Sequence, residues 1–162
     1  MKRLYIKQKV FKITDHYPVL DENQNVVYQV DQDFKLIGNT VHVSDKHGSK
    51  IFVVDKEIFT LLPKYVVNFA NGQSIYLVSR LRFLVKQIDV LPEETGIVLE
   101  GDIFDHNFSI YKHGSLIAMI QKQFLAWGDT YELIIHDEKQ QDLILSLMIA
   151  VDCIKDAQAR RR

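Results

Sequence analysis

Apolar and polar side chains alternate along this chain in short bursts, each burst ended by turn-forming residues. Leu4, Ile6 and Val10 alternate with Arg3, Tyr5, Lys7 and Lys9. The cluster Asp21-Glu22-Asn23-Gln24-Asn25 predicts a turn before a strand over 26–30. Gly38-Asn39 separates strands over 34–37 and 40–44, and Lys46-His47-Gly48 separates the latter from a strand over 49–56. Asn71-Gly72 joins 65–70 to 74–80, a strong hairpin signal because both residues tolerate positive φ. Further strands are predicted over 83–90, 97–100, 107–111, 115–122 and 131–136, with the longest polar loop at 91–96. Strand starts recur about every ten residues, the spacing of a barrel or sandwich. No linker, low-complexity tract or change of composition divides the chain, so a single domain over 1–162 is expected.

Near the C-terminal end the pattern changes. Residues 143–151 read Leu-Ile-Leu-Ser-Leu-Met-Ile-Ala-Val, inside a segment, 142–158, that has no Gly or Pro. An amphipathic surface helix shows a polar face every turn. This segment shows almost none, which predicts a helix apolar all round, either wrapped by protein or placed in a membrane. The run is far shorter than the roughly 20 apolar residues of a bilayer span, and Asp142 and Asp152 bracket it. A buried core helix is therefore expected, with no transmembrane span.

The strands also repeat. Lys46-His47-Gly48-Ser49 recurs as Lys112-His113-Gly114-Ser115, and at the same offset Ile51 aligns with Ile117, Val54 with Ile120, Lys56 with Lys122 and Tyr65 with Tyr131. Glycine supplies the positive φ of tight hairpins, so each Lys-His-Gly reads as a turn, with equivalent geometry expected in both copies. A fainter echo aligns Val27-Tyr28 and Val30 with Ile75-Tyr76 and Val78. Hairpins built on one plan around one hydrophobic helix suggest a barrel with its centre filled.

Composition adds exclusions. The chain has 162 residues, 47% apolar and 25% charged, long enough to bury a sizeable core. A formal net charge of −1 gives no overall field toward nucleic acid, which is not an expected partner. The single cysteine, Cys153, permits no internal disulfide and fits a reducing cytoplasm. Residues 1–12 hold no continuous apolar stretch of the signal-peptide kind.

The candidate binding chemistry is basic. Alternation along the first strand places Arg3, Tyr5, Lys7, Lys9 and Phe11 on one face, with Lys2 and Lys12 beside it and no acid before Asp15. Arg160, Arg161 and Arg162 form a second basic cluster. Basic residues interleaved with aromatics suit an anionic lipid surface or a phosphorylated ligand. The six histidines (His16, His42, His47, His106, His113, His136) lack metal-ligand spacing and read as exposed turn and strand residues. Glu100, Asp102 and Asp105 offer carboxylates around Gly101, but Ile103 and Phe104 stand where a calcium loop wants oxygen ligands, and a surface loop is expected. No metal or cofactor is expected. Cys153 on an apolar helix reads as an inert core thiol. Trp127, Tyr131 and Phe124 read as an aromatic group of the core or rim. No G-x-S-x-G elbow, Walker A loop or dinucleotide fingerprint occurs.

The segments FKLIGNTVHVSDKHGSKIFVVDK (34–56) and FSIYKHGSLIAMIQK (108–122), the box Trp127-Gly128-Asp129-Thr130-Tyr131, and Ala150-Val151-Asp152 stand in this order along the chain. Together they resemble the LURP-one-related family of the tubby C-terminal-like superfamily, to which phospholipid scramblases are related. The resemblance implies a closed antiparallel β-barrel of about twelve strands around a central hydrophobic C-terminal helix, mainly β and tubby-like. It also implies phosphoinositide binding at a membrane face, as tubby domains do, and a link to lipid movement and calcium, as in scramblases. No lipid-binding residue of those proteins carries over to a numbered position here.

Two function classes follow. A filled barrel leaves ligands only its outer wall or rim, which favours a non-catalytic binding module, cytoplasmic and peripheral at the inner membrane face, partnered by anionic lipid or by a protein. The alternative is an enzyme or ligand-binding protein whose rim site is assembled from scattered residues.

Overall fold

The computed structural model describes residues 1–7, 16–34, 39–82, 85–126 and 128–160. Its strands are β1 (Lys2–Lys7), β2 (His16–Asp21), β3 (Val26–Phe34), β4 (Asn39–Asp45), β5 (Lys50–Glu57), β6 (Lys64–Phe69), β7 (Ser74–Arg82), β8 (Val85–Leu91), β9 (Ile97–Asp102), β10 (Asn107–Lys112), β11 (Ser115–Leu125) and β12 (Gly128–Ile135). They form one 12-stranded antiparallel sheet in the order β8-β7-β6-β5-β4-β3-β2-β1-β12-β11-β10-β9. Neighbours in sequence are thus neighbours in the wall, and the β1–β12 ladder, Lys2 opposite Ile135 through Lys7 opposite Thr130, joins its two halves. The barrel stops one ladder short of the expected closure, because β8 and β9 approach each other without pairing.

The wall encloses α1 (Gln141–Ala159), a helix of 19 residues, about 28 Å long. Every residue from 144 to 154 is buried, Met148 and Ile149 completely. Strand alternation supplies the matching inner face, for example Leu4 and Ile6 on β1, Val41 and Val43 on β4, and Leu133 and Ile135 on β12. Tyrosines tie wall to helix. Tyr28 bonds Asp142 and accepts from Gln141 Nε2 at 2.6 Å, at the helix start. Farther along, Tyr65 donates to the Cys153 carbonyl at 3.1 Å, and Gln158 Nε2 donates to Ser79 Oγ at 3.0 Å. Burial pushes the Tyr17 and Tyr28 hydroxyls above their ordinary pKa, so both remain neutral.

The repeat holds in part. Residues of β5 and β6 pair in the same register as those 66 positions later: Phe52 faces Phe69 as Ala118 faces Ile135, and Lys56 faces Tyr65 as Lys122 faces Tyr131. An added backbone bond recurs too, Ala70 N to Ile51 O and His136 N to Ile117 O, both 2.8 Å. The two Lys-His-Gly turns, however, differ. Gly48 (φ 86) closes a loop in which Asp45 accepts the amides of His47 and Ser49. In the second turn Lys112 pairs directly with Ser115, and His113 (φ 49) and Gly114 (φ 79) form a two-residue loop of the I′ kind. The cause is position 111, a tyrosine where the first copy has Asp45. The shorter loop shifts the preceding strand by one residue, so Phe108 and Ile110 point inward where Val41 and Val43 do in β4. The fainter echo fails on side-chain direction: Tyr28 faces the core, whereas Tyr76 lies on the wall beneath Lys64.

Strand β2 is absent from the sequence-based set. Pro18 within it argues against a strand. It is tolerated because β2 meets β1 only through Leu20 and Asp21, so position 18 lies beyond that ladder.

Candidate functional site: the loop end of the barrel

Strand direction divides the barrel into two chemically different ends. One collects the turns β2–β3, β4–β5, β6–β7, β8–β9 and β10–β11 together with the start of α1. Its residues are polar, with Glu22, Glu93, Glu94, Asp137 and Glu138 among them. At the other end lie the ends of β1, β7 and β11, the β5–β6 connection, the β9–β10 connection with Asp102 and Asp105, and the end of α1.

Apolar side chains at this second end face water. Between β5 and β6, Phe59 is 99% exposed and Leu61 105%, with Ile58 and Leu62 partly so. Phe59 has φ 64, a left-handed conformation that a side chain with a Cβ disfavours. Thr60 Oγ1 donates to the Leu62 carbonyl at 2.7 Å and holds the loop's bend. Leu81 on β7 and Phe124 on β11 are also exposed. Beside the β5–β6 loop, Lys64 pairs with Glu57 at 3.2 Å and lies 4.3 Å from the centre of the Tyr76 ring. Arg80 meets Asp89 at 3.0 Å, and Lys86 donates to Gln158 at 3.1 Å.

The basic stripe reaches this end only in part. Arg3, Tyr5 and Lys7 lie on the outer face of β1, as the alternation requires. Arg3 Nε lies 3.6 Å from the Glu132 carboxylate, and the Tyr5 hydroxyl donates to the same carboxylate at 3.2 Å. Burial first, and then that carboxylate, raises the Tyr5 pKa. The middle of the stripe is thereby neutralised on the wall. Lys7 ends β1 at the loop end, and Arg160 follows α1 there. Lys9, Phe11, Lys12, Arg161 and Arg162 lie outside the described residues, as does Trp127.

One histidine departs from expectation. His106 is fully buried, not an exposed turn residue. Its left-handed backbone (φ 54) ends the 3-10 turn after β9 and turns the ring inward, 4.4 Å from the Tyr131 ring. There Nε2 lies 3.2 Å from Asp152 Oδ1 in a geometry that leaves it no aligned hydrogen bond, and Lys155 Nζ approaches Nδ1 at 3.4 Å. Burial raises the Asp152 pKa, with Asp156 adding to the shift and His106 opposing it. The sequence distance between positions 106 and 152 hides this pair from any spacing argument.

The remaining candidates take structural places. Asp102 accepts the Asp105 amide at 3.2 Å and caps the 3-10 turn, while Glu100 stands on the outer face of β9. Among the described residues no three His, Cys, Asp or Glu side chains are placed to hold a metal ion. Burial pushes the Cys153 thiol well above its ordinary pKa. Tyr131 is buried and Phe124 exposed, so these two aromatics do not form one group. Helix side chains fill the interior, and the open grooves lie outside. One of about 650 Å³ runs along the unpaired β8 and β9 edges, and one of about 600 Å³ lies at the turn end beside Glu94, Lys112 and His113. No helix among the described residues is long and apolar enough to cross a membrane.

A meandering barrel filled by its own C-terminal helix leaves its wall, its two ends and the gap between β8 and β9 as its outer surfaces. Residues 2–152 match the LURP-one-related family, and the chain belongs to that family. It is 23% identical over 156 residues to the uncharacterised protein YxjI of Bacillus subtilis (strain 168), covering 95% of this chain and 94% of that one. The X-ray structure of the Arabidopsis thaliana protein AT5G01750 is similar in fold, with a TM-score of 0.62 at 9% identity over 93% of this chain and 90% of that one.

Proposed function

We propose that this protein is a non-catalytic binding module that attaches peripherally to an anionic phospholipid surface through the loop end of its barrel. The observation that carries the reading is convergence. Lys7, Lys64, Arg80, Lys86 and Arg160, drawn from β1, β6, β7, β8 and the end of α1, gather at the same end as the exposed Phe59, Leu61, Leu81 and Phe124, among the acids Glu57, Asp89, Asp102, Asp105 and Asp129. Basic and exposed apolar side chains presented together at one end suit the surface of an anionic bilayer, where each basic residue contributes about 1 kcal/mol. The interior occupied by α1, buried from residue 144 to 154, supports the same reading, since it turns ligand contact toward the wall and ends. The anionic inner face of a cell membrane is the natural setting.

Co-sedimentation with vesicles tests it. The protein should pellet with vesicles containing phosphatidylserine or phosphatidylglycerol at low salt and ignore phosphatidylcholine vesicles. The combined variant Lys7→Glu, Lys86→Glu, Arg160→Glu should lose most of that binding while keeping its circular dichroism. Equal binding by wild type and variant, or none by either, would overturn the reading.

A further inference from the structure

We infer that the β5–β6 loop is an interfacial anchor whose Phe59 and Leu61 enter the acyl boundary of the bilayer. The inference rests on the membrane reading above and adds to it a contact that salt does not screen.

Three observations carry it. First, Phe59 and Leu61 have essentially no protein neighbours, at 99% and 105% exposure, the highest among the exposed large apolar side chains of the described residues. Second, Phe59 is held at φ 64, and with its side chain in water no contact of that side chain compensates the disfavoured backbone. A strained, fully presented aromatic at a loop tip is positioned for something outside the molecule. Third, the surrounding charge selects the occupant. The loop itself, 58–63, carries no charge, and the strand ends beside it hold Lys56, Lys64, Arg80 and Lys86 against Glu57 and Asp89. An uncharged tip in a basic collar matches a layer whose outside is anionic and whose inside is hydrocarbon. Amphipathic anchors use the same division: apolar groups at the headgroup–acyl boundary, basic groups among the phosphates. A projecting tip of a few side chains is also the wrong shape for a protein interface, which wants a broad patch of about 800 Å² per partner.

Apolar insertion and electrostatic attraction separate by salt. Phe59→Ser with Leu61→Ser should leave folding intact, because neither side chain touches the core. At low salt this variant should retain much of its binding to anionic vesicles. At high salt, where screening removes the basic contribution, its partitioning should fall by about tenfold or more relative to wild type. Depth gives an independent readout. Leu61→Cys carrying a polarity-sensitive fluorophore should shift to the blue on anionic vesicles and be quenched by lipids brominated on the acyl chain. The same probe at the turn end, in Lys46→Cys, should do neither; the native Cys153 is buried and should resist labelling.

Binding of wild type without a blue shift at position 61, and without a salt-resistant difference for the double serine variant, would overturn the anchor and leave electrostatic attachment standing. Absence of wild-type binding to any vesicle would overturn both. Concentration-dependent self-association that the double serine variant abolishes, with no vesicle binding, would assign the loop to a contact between copies of this chain and would likewise overturn the anchor.

Discussion

The Tyr65 hydroxyl donates a hydrogen bond to the carbonyl oxygen of Cys153, joining β6 to α1 across 88 sequence positions inside the buried core. Replacing Tyr65 by Phe keeps the ring and removes the donor. The buried carbonyl then loses that bond, so Tyr65→Phe should cost about 1–2 kcal/mol. Urea unfolding followed by circular dichroism measures it, and an unchanged midpoint would mean that the bond contributes nothing net.

The helix interior should be far more sensitive. Leu145 is completely enclosed by the wall. Leu145→Ala removes buried apolar volume and leaves a cavity that a barrel braced by continuous ladders cannot easily collapse. The expected loss is about 2–5 kcal/mol in the same unfolding experiment. A loss below 1 kcal/mol would show that the barrel contracts around its helix.

Turn geometry gives a signed pair of predictions. Gln24 (φ 63) occupies in the β2–β3 loop the left-handed place that Gly48 (φ 86) occupies in the β4–β5 loop, and Asp21 accepts two loop amides as Asp45 does. Gly48→Val should destabilise by about 1–2 kcal/mol, because a branched side chain is strained there. Gln24→Gly should stabilise by some tenths of a kcal/mol, the relief being partly offset by a more flexible unfolded chain. Thermal unfolding of both variants checks the signs.

Asp152 should leave a mark on the pH dependence of stability. Its folded pKa is raised, chiefly by burial, above the ordinary value of 3.8. The folded state therefore takes up this proton at a higher pH than the unfolded state does. The contribution of Asp152 to stability grows as pH falls through the folded value toward 3.8, and is lost above it. Wild type should gain stability relative to Asp152→Asn on acidification toward that value and run parallel to it at higher pH. Unfolding curves for the two proteins at a series of pH values test this; a constant difference throughout would remove Asp152 as the source.

Much of the architecture is legible in the chain because local pattern and burial agree. The run 143–151 has no polar face, and such a helix can only be enclosed; Asn71-Gly72 and the Lys-His-Gly pairs demand positive φ at glycine, and the backbone has it. What escapes the sequence depends on distant partners. Position 18 looks unfit for a strand until β2 is seen to touch β1 at only two residues. His106 looks like a turn residue until Asp152, on another element, receives its ring. The candidate site shows the same limit. Ile58, Phe59, Leu61 and Leu62 have the composition of core, and only the placement of β5 and β6 puts them in water. The basic residues of β1 were visible as an alternating face, but the acid that neutralises Arg3 belongs to the last strand.

The position of α1 after all twelve strands sets an order of events during synthesis. A ribosome releases all twelve strands before it releases the segment that fills them, since β12 ends at Ile135 and the helix begins at Gln141. Until then the inner face has nothing to pack against, and the wall cannot complete itself without enclosing a void. The ladder between β1 and β12 must likewise wait, because its second strand is the twelfth to be made. The barrel therefore stays unfinished until α1 has been made. A nascent chain that stops before α1 is left with a whole wall of apolar side chains and nothing to cover them, and is a substrate for chaperones and proteases.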